Sequence, residues 1–217
     1  MPNTQSGPHQ GGQIYTAGQP LDDAKAAMIL VHGRGATAPS ILELAKELYH
    51  SAYAYFAPQA AGNTWYPYTF MAPLAQNEPW LSSALQAISD LIAQVEAAGI
   101  PAERIVLTGF SQGACLASEF VARNARRYGG LLLFSGGLIG PLDTPRDYKG
   151  SLSGTPIFIG CSDVDPHIPL LRVEETATIL ANLGANINKQ IYPGMGHTIV
   201  QDEIDQASKI VEQVFSD

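Results

Sequence analysis

The chain has little cysteine, little charge and no long apolar run, and each scarcity excludes something. Its only cysteines, Cys115 and Cys161, form no motif spacing, which fits a cytoplasmic protein with free thiols. No cluster of Lys and Arg exists to release counterions from a phosphate backbone, and the formal net charge is −8, so a nucleic-acid partner is not expected. No apolar stretch approaches the roughly 18 residues that a spanning helix needs, so stable membrane insertion is not expected either. The opening "MPNTQSGPHQGG" lacks the basic start and apolar core of a signal peptide and reads as a loose tail over residues 1–12. Low-complexity tracts and internal repeats are missing too.

What remains is a chain of 217 residues, 46% hydrophobic and 15% charged, enough for one α/β domain with a substantial core over residues 13–217. Ala26 to Val31 is wholly apolar and stops at a glycine-rich turn, as a strand buried on both faces should. Ser40 followed by Glu43 is a capping-box signature, with Leu42, Ala45, Leu48 and Tyr49 at helical spacing behind it. "YAYFAP" is a short strand, and residues 60–73 are irregular and aromatic. A long helix follows, with Leu81, Leu85, Ile88, Ile92 and Val95 as its stripe and Gly99 as its stop. Ile105 to Thr108 forms a strand that turns into a helix bearing Ala114, Ala117, Val121 and Ala125. "GLLLFSGG" and "TPIFIGCSD" are two more buried strands, separated by an open connection over residues 138–154. A helix around Val173 to Ala181, an alternating edge strand "NINKQIYPG" and a last helix from Ile204 to Val214 complete the pattern. Strands alternating with helices imply a mostly parallel sheet covered on both faces, with ligands at the carboxyl ends of the strands.

"LTGFSQGA" places Ser111 between Gly109 and Gly113, after a strand and before a helix. A sharp turn that lifts a nucleophile above a sheet needs that context and small residues where the backbones crowd. An ordinary strand-to-helix turn, with Ser111 as a cap, would use the same residues. A serine hydroxyl is a poor nucleophile until a base removes its proton, and the usual base is a histidine held by a carboxylate. Of five histidines, His9 falls in the tail, His50 at a helix end and His32 on the first glycine turn, where it can orient that loop. Asp163, Asp165 and His167 imitate a metal cluster but have no further ligands at metal spacing, so a structural loop role is expected and no metal. His197, in "YPGMGHT", follows the last strand on a glycine-rich loop, where a base facing Ser111 is needed. The acid is expected from a strand end between them. Asp165, on a turn fixed by Pro166, is preferred, with Asp163 as the fallback that otherwise pins the loop.

Taken in order, "LVHGRGA", "NTWYP", "GFSQGA", "DVDPHIP" and "YPGMGHT" make the chain resemble the phospholipase/carboxylesterase family of small α/β-hydrolases, which is similar to acyl-protein thioesterases and more distantly to dienelactone hydrolases. The resemblance covers nearly all of the chain after the tail. It implies an α/β-hydrolase fold in a minimal form without a large lid, with Ser111 as nucleophile, Asp165 as acid and His197 as base. It also implies an oxyanion hole made by the backbone N–H groups of Arg34 and Gln112. Position 34 departs from the apolar residue usual in acyl-protein thioesterases, and "NTWYP" departs from their pattern as well. The Arg34 side chain either helps to hold an anionic or oxygen-rich substrate or only covers its loop. His32, Trp65, Tyr66, Phe70 and Met195 are candidates for the substrate pocket, and the aromatic residues among them, with Tyr68, either line it or pack their own loop. Cys115 reads as a small core residue.

The expected activity is hydrolysis of a small soluble carboxylic ester, with thioesters and lysophospholipids within the same chemistry, no cofactor, and a pattern compatible with a homodimer. A lactone-cleaving relative and a non-catalytic binding protein on the same fold are the alternatives. Because the base must be neutral, and histidine titrates near 6.5 when unperturbed, activity should fall in mild acid. A rate profile for p-nitrophenyl acetate that stays flat from about pH 5 to 8 would argue against a histidine base.

Overall fold

A computed structural model describes residues 7–216. It contains a seven-stranded sheet in the order β1-β3-β2-β4-β5-β6-β7. The strands are β1 (Ile14–Gly18), β2 (Ala26–Val31), β3 (Tyr53–Pro58), β4 (Ile105–Phe110), β5 (Gly130–Phe134), β6 (Pro156–Ser162) and β7 (Asn186–Tyr192). Every pairing is parallel except β1 with β3, so the sheet is mostly parallel with one antiparallel edge. β2 and β4 lie at its centre, and their buried apolar runs follow from burial on both faces.

Alternation along each strand divides the core in two. Ala27, Ile29 and Val31 of β2 pack with Leu107, Leu131 and Leu133 on one face, covered by α3 (Trp80–Ala97), α4 (Gln112–Arg123) and α5 (Leu170–Asn182). Met28 and Leu30 pack with Val106, Leu132 and Phe134 on the other face, covered by α1 (Ala38–Leu42), α2 (Leu44–Glu47) and α6 (Gln201–Gln213). The carboxyl ends of β4, β6 and β7 point to one rim, and the loops that leave them carry Ser111, Asp165 and His197.

Three features differ from the sequence reading. β1 is a strand where the sequence reading assigned no element, and its mostly exposed residues carry no apolar run to reveal it. The first helix is capped by Thr37, whose hydroxyl accepts from Ser40 N–H at 3.3 Å, while Ser40 Oγ accepts from Thr37 N–H at 3.1 Å. Ser40 therefore sits inside the helix, three residues beyond the cap, and the helix breaks at Glu43 into two short pieces. Of the expected tail, residues 1–6 lie outside the described residues, and His9 is buried against the body of the protein. Among the described residues no helix is long and apolar enough to cross a membrane.

The tightest packing sits where α4 leaves β4. A Cβ added to Gly113 would fall 2.0 Å from the carbonyl oxygen of Val31, and one on Gly109 would fall 2.5 Å from the carbonyl carbon of Gly113. Both neighbours are backbone of the central strands or the elbow helix and cannot swing aside. Gly113→Ala is expected to cost at least about 3 kcal/mol, by overpacking at a site with no room to relax. Gly35→Ala is the contrast, since a Cβ there meets nothing within 4 Å and only its φ of +75° is unfavourable; about 1–2 kcal/mol is expected. Urea unfolding of both variants checks the order, and equal costs would refute the packing argument.

Candidate active site

Ser111 stands at the elbow between β4 and α4 with φ 56° and ψ −120°. A non-glycine residue in that region carries strain of about 1–3 kcal/mol, held by what surrounds it. Here the chain is fixed on both sides: Ser111 N–H donates to Phe134 O at 3.0 Å, and Cys115 N–H donates to Ser111 O at 3.0 Å. The first residue of α4, Gln112, has an N–H with no acceptor inside the helix. Gly33 flanks the serine closely, since a Cβ there would lie 3.5 Å from Ser111 Cβ.

His197 Nδ1–H donates to Asp165 Oδ2 at 2.7 Å, and the Asp165 side chain is fully covered. Because an ionised carboxylate only accepts, this bond fixes the proton on Nδ1 and leaves Nε2 as the free acceptor. Asp165 Oδ1 accepts from the N–H groups of His167 at 2.8 Å and Ile168 at 3.0 Å. Burial alone would raise this carboxyl, but the bonds from His197 and the two backbone donors outweigh it, and its pKa lies below the ordinary value. Asp163 is exposed, and its Oδ1 accepts from Gly194 N–H at 2.8 Å, which ties the aspartate loop to the histidine loop. Phe110 packs on the His197 ring at 4.7 Å between centroids.

Ser111 and His197 face the same cleft of about 510 Å³, without a hydrogen bond between them in this structure. Such contacts are often long until substrate is bound. Arg34, Tyr66, Tyr68 and Phe70 line its walls, and Gln112 is at its floor. Tyr68, at the rim, is 56% exposed, so the cleft opens to solvent.

Three of the expected pocket residues do not line this cleft. His32 is fully buried behind it; its Nδ1–H donates to Gly33 O at 2.8 Å and its Nε2 accepts from Ala60 N–H at 3.1 Å, so it orients the loop rather than touching a ligand. Burial lowers its pKa, only partly opposed by the bond to Gly33, which keeps the ring neutral. Trp65 turns inward, donating Nε1–H to His32 O at 2.9 Å. Met195 sits on the turn after β7, its N–H directed at Tyr192 O, and is not among the residues that line the cleft. His9, assigned to the tail by the sequence reading, packs against Trp65 with the rings tilted at 52° and 5.2 Å between centroids, and donates Nε2–H to Trp65 O at 2.9 Å. Conversely, His167 was assigned to its loop alone, yet it lines the cleft with its ring 4.8 Å from that of His197. Its position two residues after Asp165 was the available signal.

Cys115 borders the cleft from one turn inside α4, but burial pushes its thiol up to about 12, so it is a packing residue rather than a nucleophile at neutral pH. The loop carrying His197 is held from behind by Glu203 of α6, whose Oε2 accepts from Val200 N–H at 2.9 Å. Glu203 Oε1 is buried against Gly160 without a hydrogen-bond partner.

Comparison with known proteins identifies the family. The family profile described as Phospholipase/Carboxylesterase matches residues 17–215. A crystal structure of a phospholipase/carboxylesterase from Dyadobacter fermentans superposes with a TM-score of 0.90 at 48% identity, covering 93% of this chain and 96% of that one. Acyl-protein thioesterase 1 of Gibberella zeae is 32% identical over 129 residues, covering 57% of this chain and 54% of the relative. Acyl-protein thioesterase 1 of Saccharomyces cerevisiae is 28% identical over 137 residues, covering 62% and 60% respectively. The chain thus spans little more than half the length of these curated relatives.

Burial raises the Glu203 carboxyl to about 7, a rise trimmed by the Val200 bond and increased by the neighbouring Asp202 charge. The unfolded chain loses this proton near 4.3, so the folded state holds more protons in the window between. The stability contributed by that proton is full below about 4.3 and is lost as pH rises through about 7. Glu203→Gln should therefore gain thermal stability relative to wild type between pH 5 and pH 8. A difference in melting temperature that is the same at both pH values would contradict it.

Proposed function

The chain belongs to the phospholipase/carboxylesterase family of α/β-hydrolases, and from that premise we propose that it hydrolyses carboxylic esters through an acyl-enzyme on Ser111. The observation that carries the reading is the strained serine at φ 56° sharing a cleft with a histidine whose Nδ1–H is held by a buried aspartate at 2.7 Å.

The chemistry follows from the proton inventory. Nε2 of His197 takes the Ser111 hydroxyl proton as Oγ attacks the ester carbonyl, and the carbonyl oxygen becomes an oxyanion. The N–H groups of Arg34 and Gln112 stabilise it, which fits the helix-start position of Gln112 and the close flank of Gly33. The imidazolium then returns its proton to the departing alcohol, leaving the acyl group on Oγ. Water, activated by the same histidine, hydrolyses that ester. Asp165 holds the tautomer and balances the imidazolium charge. Its lowered pKa keeps it ionised throughout the working range.

An open cleft of about 510 Å³ with an aromatic wall suits small soluble esters. The acyl-protein thioesterases among the relatives act, by their names, on acyl groups attached to proteins, and a thioester carbonyl would undergo the same attack. The open cleft favours small soluble esters over larger acyl groups, and we assign the chain to these.

The test is intact mass after treatment with a fluorophosphonate, together with turnover of p-nitrophenyl acetate and octanoate, for wild type and Ser111→Ala. One adduct on Ser111, and a fall in turnover of about a thousandfold or more in the variant, is the expected result. Folded wild-type protein that takes no adduct would refute the reading.

A further inference from the structure

The two residues whose backbone N–H groups are assigned to the oxyanion also grip one another's surroundings through their side chains. The carbonyl oxygen of Tyr66 accepts from Arg34 Nη2 at 2.9 Å and from Gln112 Nε2 at 2.9 Å, and from Thr64 Oγ1 at 3.0 Å. Arg34 extends the grip along the chain, with Nη1 donating to Pro67 O at 2.8 Å and Nη2 to Tyr68 O. Gln112 extends it backward, with Oε1 accepting from Trp65 N–H at 3.0 Å. Gln112 is only 6% exposed, so both ends of its amide are committed to this loop. The guanidinium lies over the Tyr66 ring at 5.9 Å.

From this convergence we infer that residues 64–68 brace the oxyanion hole, with the Tyr66 carbonyl as the anchor shared by both of its donors. The inference rests on the acyl-enzyme reading above. A backbone N–H stabilises a developing oxyanion only where it stands at about 3 Å from it, and its direction is set by the peptide that carries it. Arg34 lies on an exposed turn outside any helix or strand, where the peptide that carries its N–H is held by Gly33 O, which accepts from His32 Nδ1–H at 2.8 Å and from Ala36 N–H at 3.2 Å; the Arg34 side chain adds a second tie, to the wall, by clasping three consecutive carbonyls. Gln112 has α4 behind it, and its side chain ties the helix start to the same loop. The Arg34 and Gln112 side chains are therefore positioning residues, and the loop that forms the cleft wall is also the frame of the oxyanion hole.

The loop itself is held from behind. Trp65 Nε1–H reaches His32 O, His9 Nε2–H reaches Trp65 O, and Tyr68 N–H donates to Asn77 Oδ1 at 2.9 Å. The turn after Arg34 joins the same frame, since Gly35 N–H donates to Asn63 O at 2.8 Å. Displacing the wall moves the donors, and fixing the wall fixes them.

The experiment uses p-nitrophenyl acetate, whose two-carbon acyl group fills a small part of the cleft and so reports little on side-chain contact with substrate. Arg34→Met and Gln112→Met keep both backbone N–H groups and remove only the grip. Each is expected to lower kcat by roughly tenfold to a hundredfold, with KM changed less than about threefold. Because the anchor is shared, the double variant should lose little more than the worse single one. Arg34→Lys keeps the charge without the fork and serves if methionine at 34 does not fold. Losses that multiply in the double variant, or a lowered melting temperature with wild-type kcat, would overturn the brace. So would a loss seen with p-nitrophenyl hemisuccinate but not with the acetate, which would make Arg34 a contact for anionic substrate. Ser111→Ala run in parallel separates the two levels: turnover that survives it removes the acyl-enzyme reading and the brace together, whereas turnover lost in it with unimpaired Arg34 and Gln112 variants removes the brace alone.

Discussion

The fit between the start of α4 and the end of β2 is the constraint on which the rest of the site depends. Gly113 stands so close to the carbonyls of Val31 and His32 that no side chain could be inserted. That contact brings the elbow against the turn that follows β2. It places Gly33 beside Ser111, makes Gln112 the first helical residue, and sets the Arg34 turn against the floor of the cleft. Strain at Ser111 persists because backbone bonds on both sides, to Phe134 and from Cys115, leave the residue nowhere to relax.

From that fixed point the site is completed by loops tied to one another. Asp163 joins the aspartate loop to the histidine loop, Asp165 is saturated by His197 and two backbone donors, and Glu203 holds the histidine loop from α6. On the opposite side a histidine and a tryptophan back the aromatic wall. The result is a chain of polar contacts around an open cleft, in which each loop gains rigidity from its neighbour's backbone.

Much of this was legible in the sequence because buried strands in a parallel sheet write themselves as unbroken apolar runs. "AAMILV" and "GLLLF" are covered on both faces, and both were recognisable as strands. β1 was not, because an edge strand with four of its five residues exposed has no apolar pattern to show. The order of Ser111, Asp165 and His197, each beyond a strand, was readable from spacing, since loops at the carboxyl ends of parallel strands converge on one rim. Which aromatic side chains would face the cleft was not readable. Trp65 and Tyr66 are adjacent in sequence, and the choice between them is made by a hydrogen bond from the indole to His32 O, a contact between distant segments. His9 was misjudged for the same reason: nothing local announces a partner 56 residues away. The capping residue of α1 was missed because Thr37 and Ser40 form a reciprocal pair just ahead of the one inferred.

The wall behind the cleft draws on His9 and Trp65, the elbow on Val31 and Gly113, and the base and its anchor on His197 and Glu203. During synthesis Ser111 emerges well before His197, the base proposed for it. Under the proposed reaction, the ability to attack an ester arrives only with the loop that follows the last strand. A stop within β7 would remove His197 and, with it, the base on which the proposed reaction depends.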